Sequence, residues 1–315
     1  MSNTWKSSTG LALGALVAVT AAWGATFIVV QDAISRMPVM DFLAVRFCVA
    51  ALAMVALRPH CLHGMSPLGF KRAALLGLAL GLGYITQTFG LQHASVAVSG
   101  FITGMFVVLT PVISWLLLKR KTGANVWWAV ALATGGLAVL SLNGWSIGVG
   151  EFLTLLCALF FALHVVGLGE WSSKHNVYGF AVLQISFVAG LCLAAALPGG
   201  LTLPPDSGVW LAVIVTALVA TAFAFVVQTW AQSLVSATRA AVIMTMEPVF
   251  AGLFAVLLAG NHLTYRTIVG GALVLAAMLL TELKPKNQSI SPSTPNDPRA
   301  IHETAIPLRV TEDHT

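Results

Sequence analysis

The chain has 315 residues, of which 58% are hydrophobic and only 9% are charged, and its mean hydropathy is +0.89. Soluble domains carry about 25% charged residues, so this composition leaves too little polar surface for water and indicates a protein whose solvent is lipid. The net charge of +5 does not indicate nucleic-acid binding, because the basic residues lie in short loops without interleaved aromatic residues. Four cysteines without paired spacing predict no disulfide framework.

The first apolar run starts at Leu11, shortly after Lys6. Such a start is compatible with a signal peptide, for which Val19-Thr20-Ala21 offers a loosely suitable cleavage site. The run continues to Val30, however, which gives about the 20 residues that a full membrane span needs. Because further spans follow, we interpret this run as an uncleaved first membrane helix.

Ten continuous apolar runs predict ten transmembrane helices, since each approaches the length that crosses a hydrocarbon core of about 30 Å. Continuous rather than alternating hydrophobicity favours helices over a β-barrel. Within the runs, Gly77-x-x-x-Gly81, Gly135-Gly136 and Gly270-Gly271 predict close contacts between helices. The predicted spans are residues 11–31, 38–57, 72–91, 95–118, 126–142, 148–169, 177–197, 208–231, 237–259 and 266–283.

The distribution of Lys and Arg predicts the orientation of these spans. With the N-terminus inside, 13 of the 16 basic residues fall on the cytoplasmic side, and the outer loops hold only Arg36 and Arg266. Both termini are therefore predicted to be cytoplasmic. Residues 1–10 form a predicted cytoplasmic N-terminus, and residues 284–315, where Pro, Ser, Asn and Asp are frequent, form a predicted disordered cytoplasmic tail.

The two halves of the apolar region share short matching segments. Gln87-Thr88-Phe89 recurs as Gln228-Thr229-Trp230 at an offset of 141 residues, and Pro111-Val112 recurs as Pro248-Val249. Because each half contains an odd number of spans, the second half must run inverted to the first. The sequence therefore predicts an all-α membrane protein of two five-helix inverted repeats, an arrangement typical of secondary transporters that hold their substrate between the repeats.

Six short motifs follow one another along the spans. They are Ala22-Trp23-Gly24-Ala25-Thr26-Phe27, Arg46-Phe47, Gly90-Leu91-Gln92-His93, the stretch from Phe101-Ile102-Thr103-Gly104 to Thr110-Pro111, Met246-Glu247-Pro248-Val249-Phe250, and Gly270-Gly271-Ala272-Leu273. Each motif is weak alone, but their order and spacing are specific. In this combination the chain resembles the drug/metabolite transporter superfamily, specifically its EamA-like ten-helix carriers.

The resemblance covers residues 11–283 and implies two EamA-like repeats, which we place at residues 11–143 and 144–283. One departure is Gly260-Asn261, where the family commonly has Gly-Glu. The family implies movement of small metabolites, often amino acids or related solutes, across a bacterial inner membrane. We therefore expect a multi-pass inner-membrane secondary transporter that works by alternating access, with export favoured. We expect no enzymatic activity and no cofactor, and the oligomeric state stays open between monomer and homodimer.

Ionisable groups inside lipid are expensive and are therefore functional candidates. Arg46 lies near the middle of the second span, where an unpaired guanidinium would cost at least ~2.5–3.5 kcal/mol. One interpretation is that it holds a substrate carboxylate, since arginine makes bidentate pairs. The other is a structural ion pair with Glu247 or Asp32. The sequence leaves both interpretations open.

Glu247 directly precedes Pro248, which removes a backbone donor and disturbs the helix. A carboxylate beside a kinked helix would line a cavity, bind an amine or carry a proton. The matching position in the first half is the uncharged Thr110, so we predict that Glu247 contacts substrate and is the candidate for a coupling proton. The complete predicted substrate-binding set is Trp23, Thr26, Arg46, Gln87, Gln228, Trp230 and Glu247.

Other polar residues have simpler interpretations. Asp32 and Arg36 are four residues apart and predict a surface pair, and Asp41 is interpreted as a charge at a helix N-terminus. His164 is either a buried, hydrogen-bonded imidazole or a cavity contact. The segment 60–63 contains two His and one Cys but no further ligand cluster, so we predict no metal site.

Two other classes of protein remain as alternatives. An integral membrane enzyme acting on lipid precursors needs clustered catalytic groups at one membrane face, whereas the charges here are sparse and dispersed. A channel or facilitator needs a ring of repeated charges or carbonyls, usually from several subunits. The expected partners are a small-molecule substrate and the lipid bilayer, with no nucleic acid.

Overall fold

The computed structural model describes residues 2–119, 123–143, 146–235, 237–244, 246–260 and 264–282. These residues are helical almost throughout, apart from the short antiparallel pair of β1 (Leu142–Asn143) and β2 (Ser146–Ile147). A π-helical segment, Leu218–Phe223, joins α9 to α10. The α-helices are α1 (Ser2–Arg36), α2 (Val39–Leu57), α3 (Pro67–Leu91), α4 (Val96–Gly104), α5 (Phe106–Leu118), α6 (Ala124–Ser141), α7 (Val149–Trp171), α8 (Val177–Ala196), α9 (Ser207–Ala217), α10 (Ala224–Leu234), α11 (Ala237–Met244), α12 (Met246–Ala259) and α13 (Tyr265–Glu282).

Seven helices in the described part of the chain are long and apolar enough to cross a membrane. They comprise Thr9–Arg36, Val39–Leu57, Pro67–Leu91, Val96–Leu118, Val149–Lys174, Val177–Gly199 and Ser207–Leu234. Shorter apolar helices are Met246–Leu258 and Tyr265–Ala277. The predicted all-helical membrane architecture is confirmed at this level. The ten-helix layout, the orientation and the repeat boundaries stay predictions, and the predicted tail, residues 284–315, lies outside the described residues.

Polar side chains define where several helices begin. Ser66 accepts a hydrogen bond from the backbone N of Gly69 at the start of α3, and Asn176 accepts one from Gly179 at the start of α8. Asp206 does the same for Val209 in α9. Such caps satisfy backbone donors that the first helical turn leaves free. These caps therefore define where α3, α8 and α9 begin.

Small residues allow the helices to approach closely, as the glycine pairs predict. A Cβ added to Gly136 of α6 would lie 2.9 Å from the carbonyl oxygen of Gly270 in α13. A Cβ at Gly77 of α3 would lie 2.6 Å from the Cβ of Phe187 in α8. Helix association in lipid depends on such packing, because apolar burial gives little driving force there. These two glycines therefore explain how α6 packs on α13 and α3 packs on α8.

Helix α1 crosses α12 at Gly24. A Cβ on Gly24 would lie 2.6 Å from the Cβ of Phe250 and 2.8 Å from the backbone N of Ala251. By contrast, nothing lies within 4 Å of a Cβ built on Gly14, ten residues earlier in the same helix. The contact between α1 and α12 therefore tolerates no side chain at Gly24.

We expect Gly24→Ala to lower the thermal unfolding midpoint of the detergent-purified protein, because overpacking costs roughly 1–3 kcal/mol. The matched control is Gly14→Ala, which makes the same change in open space and gains helix propensity. Its midpoint should equal or exceed that of the unmodified chain. Equal midpoints for the two variants would contradict the close crossing at Gly24.

Candidate functional site

A cavity lies inside the helix bundle, and its space of about 640 Å³ includes the part that opens to solvent. Its wall comes from helices α1, α2, α3, α5, α7, α10, α11 and α12. The polar lining residues are Thr26, Arg46, Gln87, Thr88, His164, Gln228 and Glu247. The aromatic lining residues are Trp23, Phe27, Tyr84, Phe106, Phe161 and Phe225. An apolar pocket with a few convergent polar groups is the usual form of a small-molecule site.

Six of the seven sequence-predicted substrate-binding residues lie on this wall. The exception is Trp230, which packs with the hydrophobic cluster around Ala231 and Val235 instead. Trp230 follows Gln228 by two residues on α10, which rotates it by about 200° around the helix axis. When Gln228 faces the cavity, Trp230 must therefore point to the other side. The residues that the structure brings together are Trp23, Thr26, Arg46, Gln87, Gln228 and Glu247.

Arg46 of α2 is buried, with 3% of its surface exposed. Its Nε donates a hydrogen bond to Oγ1 of Thr221 at 3.1 Å, and its guanidinium carbon lies 4.9 Å from the ring centroid of Tyr84. The ring face of Tyr84 attracts the cation. Within the described residues Arg46 forms no ion pair, so the predicted structural pair with Glu247 or Asp32 is not formed in the structure.

The π-helical segment supports two residues of the cavity wall. The carbonyl oxygen of Ala220 accepts a hydrogen bond from the indole N–H of Trp23 at 2.8 Å, and Thr221 accepts one from Arg46. A π turn disrupts the regular helix ladder, and such turns are frequent at functional sites. Sequence reasoning missed Thr221, because no residue pattern in this apolar run distinguishes a π turn from an α turn.

Glu247 lies in the first turn of α12 and is 5% exposed. Its carboxylate makes no hydrogen bond or ion pair with any residue that the structure describes. The charged form of a carboxylate is costly in such a buried place unless another group compensates it. A cationic group of a solute and a proton both meet this requirement.

The amide side chains of the wall are only partly satisfied. Nε2 of Gln87 donates to Oγ1 of Thr103 at 3.2 Å, and Nε2 of Gln228 donates to Oε1 of Gln232 at 3.1 Å. Oε1 of Gln228 is buried and has no hydrogen-bond partner among the described residues. Since a buried acceptor without a donor is unfavourable, Gln228 is available to a donor group of a bound solute.

The position of His164 in α7 agrees with both interpretations that the sequence left open. Its Nε2 lies 2.8 Å from Oε1 of Gln184, and Nε2 of Gln184 donates to the carbonyl oxygen of Phe180 at 2.9 Å. Because Oε1 of Gln184 only accepts, the imidazole donates from Nε2. His164 is therefore a buried, hydrogen-bonded histidine that also lines the cavity.

The acidic residues near the predicted outer ends form other contacts. The surface pair of Asp32 and Arg36 is confirmed, and Arg36 also pairs with Asp206 at 2.8 Å. Asp41 lies in the first turn of α2 as predicted. It is buried, however, and accepts hydrogen bonds from the backbone N and the hydroxyl of Thr202. None of these carboxylates lines the cavity.

The structure arranges no three His, Cys, Asp or Glu side chains as a metal site within the described residues. His60 and His63, from the segment considered for metal binding, stack with ring centroids 5.1 Å apart. Both lie in the loop between α2 and α3, and neither lines the buried cavity.

A sequence profile of the EamA-like transporter family matches residues 9–142 and matches again at residues 148–283. The chain belongs to the EamA-like transporter family. Among curated proteins, this chain is similar to an uncharacterized transporter of Archaeoglobus fulgidus, with 35% identity over 87% of this chain and 85% of the relative. It is also similar to the uncharacterized inner membrane transporter YedA of Escherichia coli, with 28% identity over 85% of this chain and 90% of the relative.

A solved crystal structure resembles this EamA-family chain with a TM-score of 0.65, covering 86% of this chain and 97% of the other at 14% sequence identity. That likeness shows a shared fold. Together with the apolar spans, the family and its relatives show that the chain is a multi-pass membrane transporter of the inner membrane. The names of the relatives are those of transporters rather than enzymes.

We expect Thr221→Val to lower the thermal unfolding midpoint, because it leaves the Nε–H of buried Arg46 without its acceptor at a cost of roughly 1–3 kcal/mol. The matched control is Thr216→Val, since the hydroxyl of Thr216 bonds only to carbonyls of its own helix. If Thr221→Val lowers the unfolding midpoint no more than Thr216→Val does, the hydrogen bond to the π-helical segment does not stabilise buried Arg46.

Proposed function

We propose that this EamA-family chain is a secondary active transporter that moves a small metabolite across the inner membrane by alternating access. The observation that carries the proposal is the buried cavity, which holds Arg46 and Glu247 in one wall without an ion pair between them. Charged groups inside lipid are costly and mark substrate and ion pathways. An arginine and a glutamate that do not pair with each other are suited to the charged groups of a passing solute.

The proposed layout is ten membrane helices in two inverted five-helix repeats, with both termini in the cytoplasm. The two separate family matches support the repeats, and the Lys and Arg distribution supports the orientation. Each match contributes to the cavity: Arg46 and Gln87 come from the first, Gln228 and Glu247 from the second. A solute in this cavity would therefore contact both repeats, as alternating access requires.

The chemistry of the wall favours an amino acid or a related solute. Arg46 presents a planar guanidinium that would hold a carboxylate in bidentate geometry. Glu247 would bind an amine, or carry a coupling proton when the solute brings no positive charge. The aromatic rings of Trp23, Tyr84 and Phe225 would enclose the apolar part of the solute. Export is the proposed direction, on the strength of the family resemblance.

We expect Arg46→Gln and Glu247→Gln each to reduce flux into or out of membrane vesicles by about tenfold or more, the equivalent of about 1.4 kcal/mol of lost binding. Matched controls are Arg36→Gln and Glu151→Gln, which make the same changes outside the cavity wall. Each variant is first quantified in the membrane fraction. Normal transport by both cavity variants would contradict the proposed site.

The same vesicles separate a carrier from a channel. A carrier gives saturable flux that a counter-solute on the opposite side accelerates, because the binding site reorients with solute bound. Linear flux without counter-solute dependence would contradict alternating access and would favour a channel.

We also expect an amino acid or related solute to raise the thermal unfolding midpoint of the purified protein. A ligand stabilises the native state by RT ln(1 + [L]/Kd), which is about 2.7 kcal/mol at a concentration of 100 Kd. The panel comprises amino acids, amines, nucleosides, sugars and small drugs. Stabilisation that disappears in Arg46→Gln and persists in Arg36→Gln would place the solute at the cavity. Stabilisation by sugars or nucleosides alone would contradict the proposed solute class.

A further inference from the structure

A second cavity, which we call the loop cavity, lies between the α2–α3 loop and the α7–α8 connection. It is a cleft that opens to solvent, its space of about 730 Å³ includes that opening, and most of its wall is polar and exposed. The polar side chains on this wall are His63, Ser66, Ser173, Lys174, His175 and Asn176. These residues are separate from the buried cavity, and the transport proposal assigns them no role.

Close contacts between α3, α8 and the α2–α3 loop build the loop cavity. The His175 ring stacks on Phe180 of α8 with centroids 5.0 Å apart. The same ring lies against Gly69 of α3, where an added Cβ would be 3.1 Å from Nδ1. An added Cβ on Gly179 of α8 would collide with the carbonyl oxygen of Cys61. The two sides of the cavity are therefore held in a fixed relation by packing.

After their own hydrogen bonds are formed, Ser66 and Asn176 can still donate hydrogen bonds into the loop cavity. Oγ of Ser66 and Oδ1 of Asn176 accept bonds from the first turns of α3 and α8, so the Ser66 hydroxyl hydrogen and the Asn176 amide hydrogens remain to donate. Nε2 of His175 lies 3.3 Å from a guanidinium nitrogen of Arg72, which can only donate. The neutral His175 ring therefore carries its proton on Nδ1. The N-termini of α3 and α8 add the positive ends of two helix dipoles.

The charge around the loop cavity has one sign. Its wall holds Lys174, His63 and His175 and no Asp or Glu, and the surrounding α2–α3 loop and start of α3 add Arg58, Lys71 and Arg72. Desolvation, followed by the positive charges of Arg72 and Lys174, lowers the pKa of His175 below its ordinary value. Glu170, the adjacent acidic residue in sequence, does not line the cavity. The positive potential at His175 is therefore not balanced by a carboxylate of the cavity wall.

We propose that the loop cavity binds a phosphate group, carried by an anionic lipid or by a soluble phosphate. Lys174 would supply the charge-assisted hydrogen bond, and Ser66, Ser173 and Asn176 would donate to the remaining oxygens. A phosphate matches this wall because it is an anion that offers several acceptors and no obligatory donor. Since α3 lies in the first family match and α8 in the second, the bound group would connect the two halves.

The proposal is tested on the full purified chain with two probes. Inorganic phosphate and phosphatidylglycerol are titrated separately in detergent, with phosphatidylcholine as the neutral lipid control, and the thermal unfolding midpoint is followed. We expect Lys174→Gln to weaken binding about tenfold, because it removes a charge-assisted bond. Lys71→Gln is the matched control, since Lys71 carries the same charge on exposed α3 surface but does not line the cavity.

Each outcome either supports or overturns the site. Stabilisation by inorganic phosphate that Lys174→Gln weakens supports the site and identifies a soluble phosphate as the source. Stabilisation by phosphatidylglycerol alone, weakened by Lys174→Gln, supports the site and identifies a lipid headgroup. The proposal is overturned if neither probe binds, if phosphatidylcholine acts as strongly as phosphatidylglycerol, or if Lys71→Gln weakens binding as much as Lys174→Gln. Both variants are compared without probe to establish that they fold.

Discussion

The burial of Arg46, with no carboxylate partner among the residues that the structure describes, is the constraint on which the cavity depends. A guanidinium held away from water needs compensating groups in fixed positions. Thr221 supplies a hydroxyl oxygen and Tyr84 supplies a ring face, so three helical elements must keep their mutual rotation for Arg46 to remain buried. The π-helical segment is central to this arrangement because it also anchors Trp23 through the carbonyl oxygen of Ala220. Disturbing that segment would move both residues of the wall together.

Helix α1 connects the two charged groups of the cavity. Trp23 donates a hydrogen bond to the π-helical segment that holds Arg46. The adjacent Gly24 packs against the start of α12, where an added Cβ would lie 2.9 Å from the backbone oxygen of Glu247. Consecutive residues point about 100° apart on a helix, so α1 contacts both neighbours with different faces. In the proposed transport cycle, a rotation of α1 would therefore change the positions of Arg46 and Glu247 at the same time.

The sequence predicted the membrane helices and six residues of the cavity wall, because apolar runs and the polar or ionisable residues inside them can be recognised in a sequence. Long apolar runs must be helical in lipid, and Arg46 and Glu247 stand out as ionisable residues inside such runs. Trp230 was placed wrongly on the cavity wall because depth along a span does not give the rotation of its helix. The predicted ion pair of Arg46 depended on the same unknown rotations. Thr221 was not predicted, because the extra residue of a π turn cannot be recognised in an apolar sequence.

The buried cavity has both a basic and an acidic residue on its wall, whereas the loop cavity has basic residues and no acidic one, and this difference argues for different occupants. The wall of the buried cavity holds Arg46 and Glu247 without a bond between them, which suits a solute that carries both charges or a proton on Glu247. The wall of the loop cavity holds Lys174 and two histidines and contains no carboxylate, which suits an anion. An unpaired charge costs more within the bilayer than at its edge. The unpaired Arg46 and Glu247 therefore require a transient partner more strongly than Lys174 does, as expected of a site that fills and empties in each cycle.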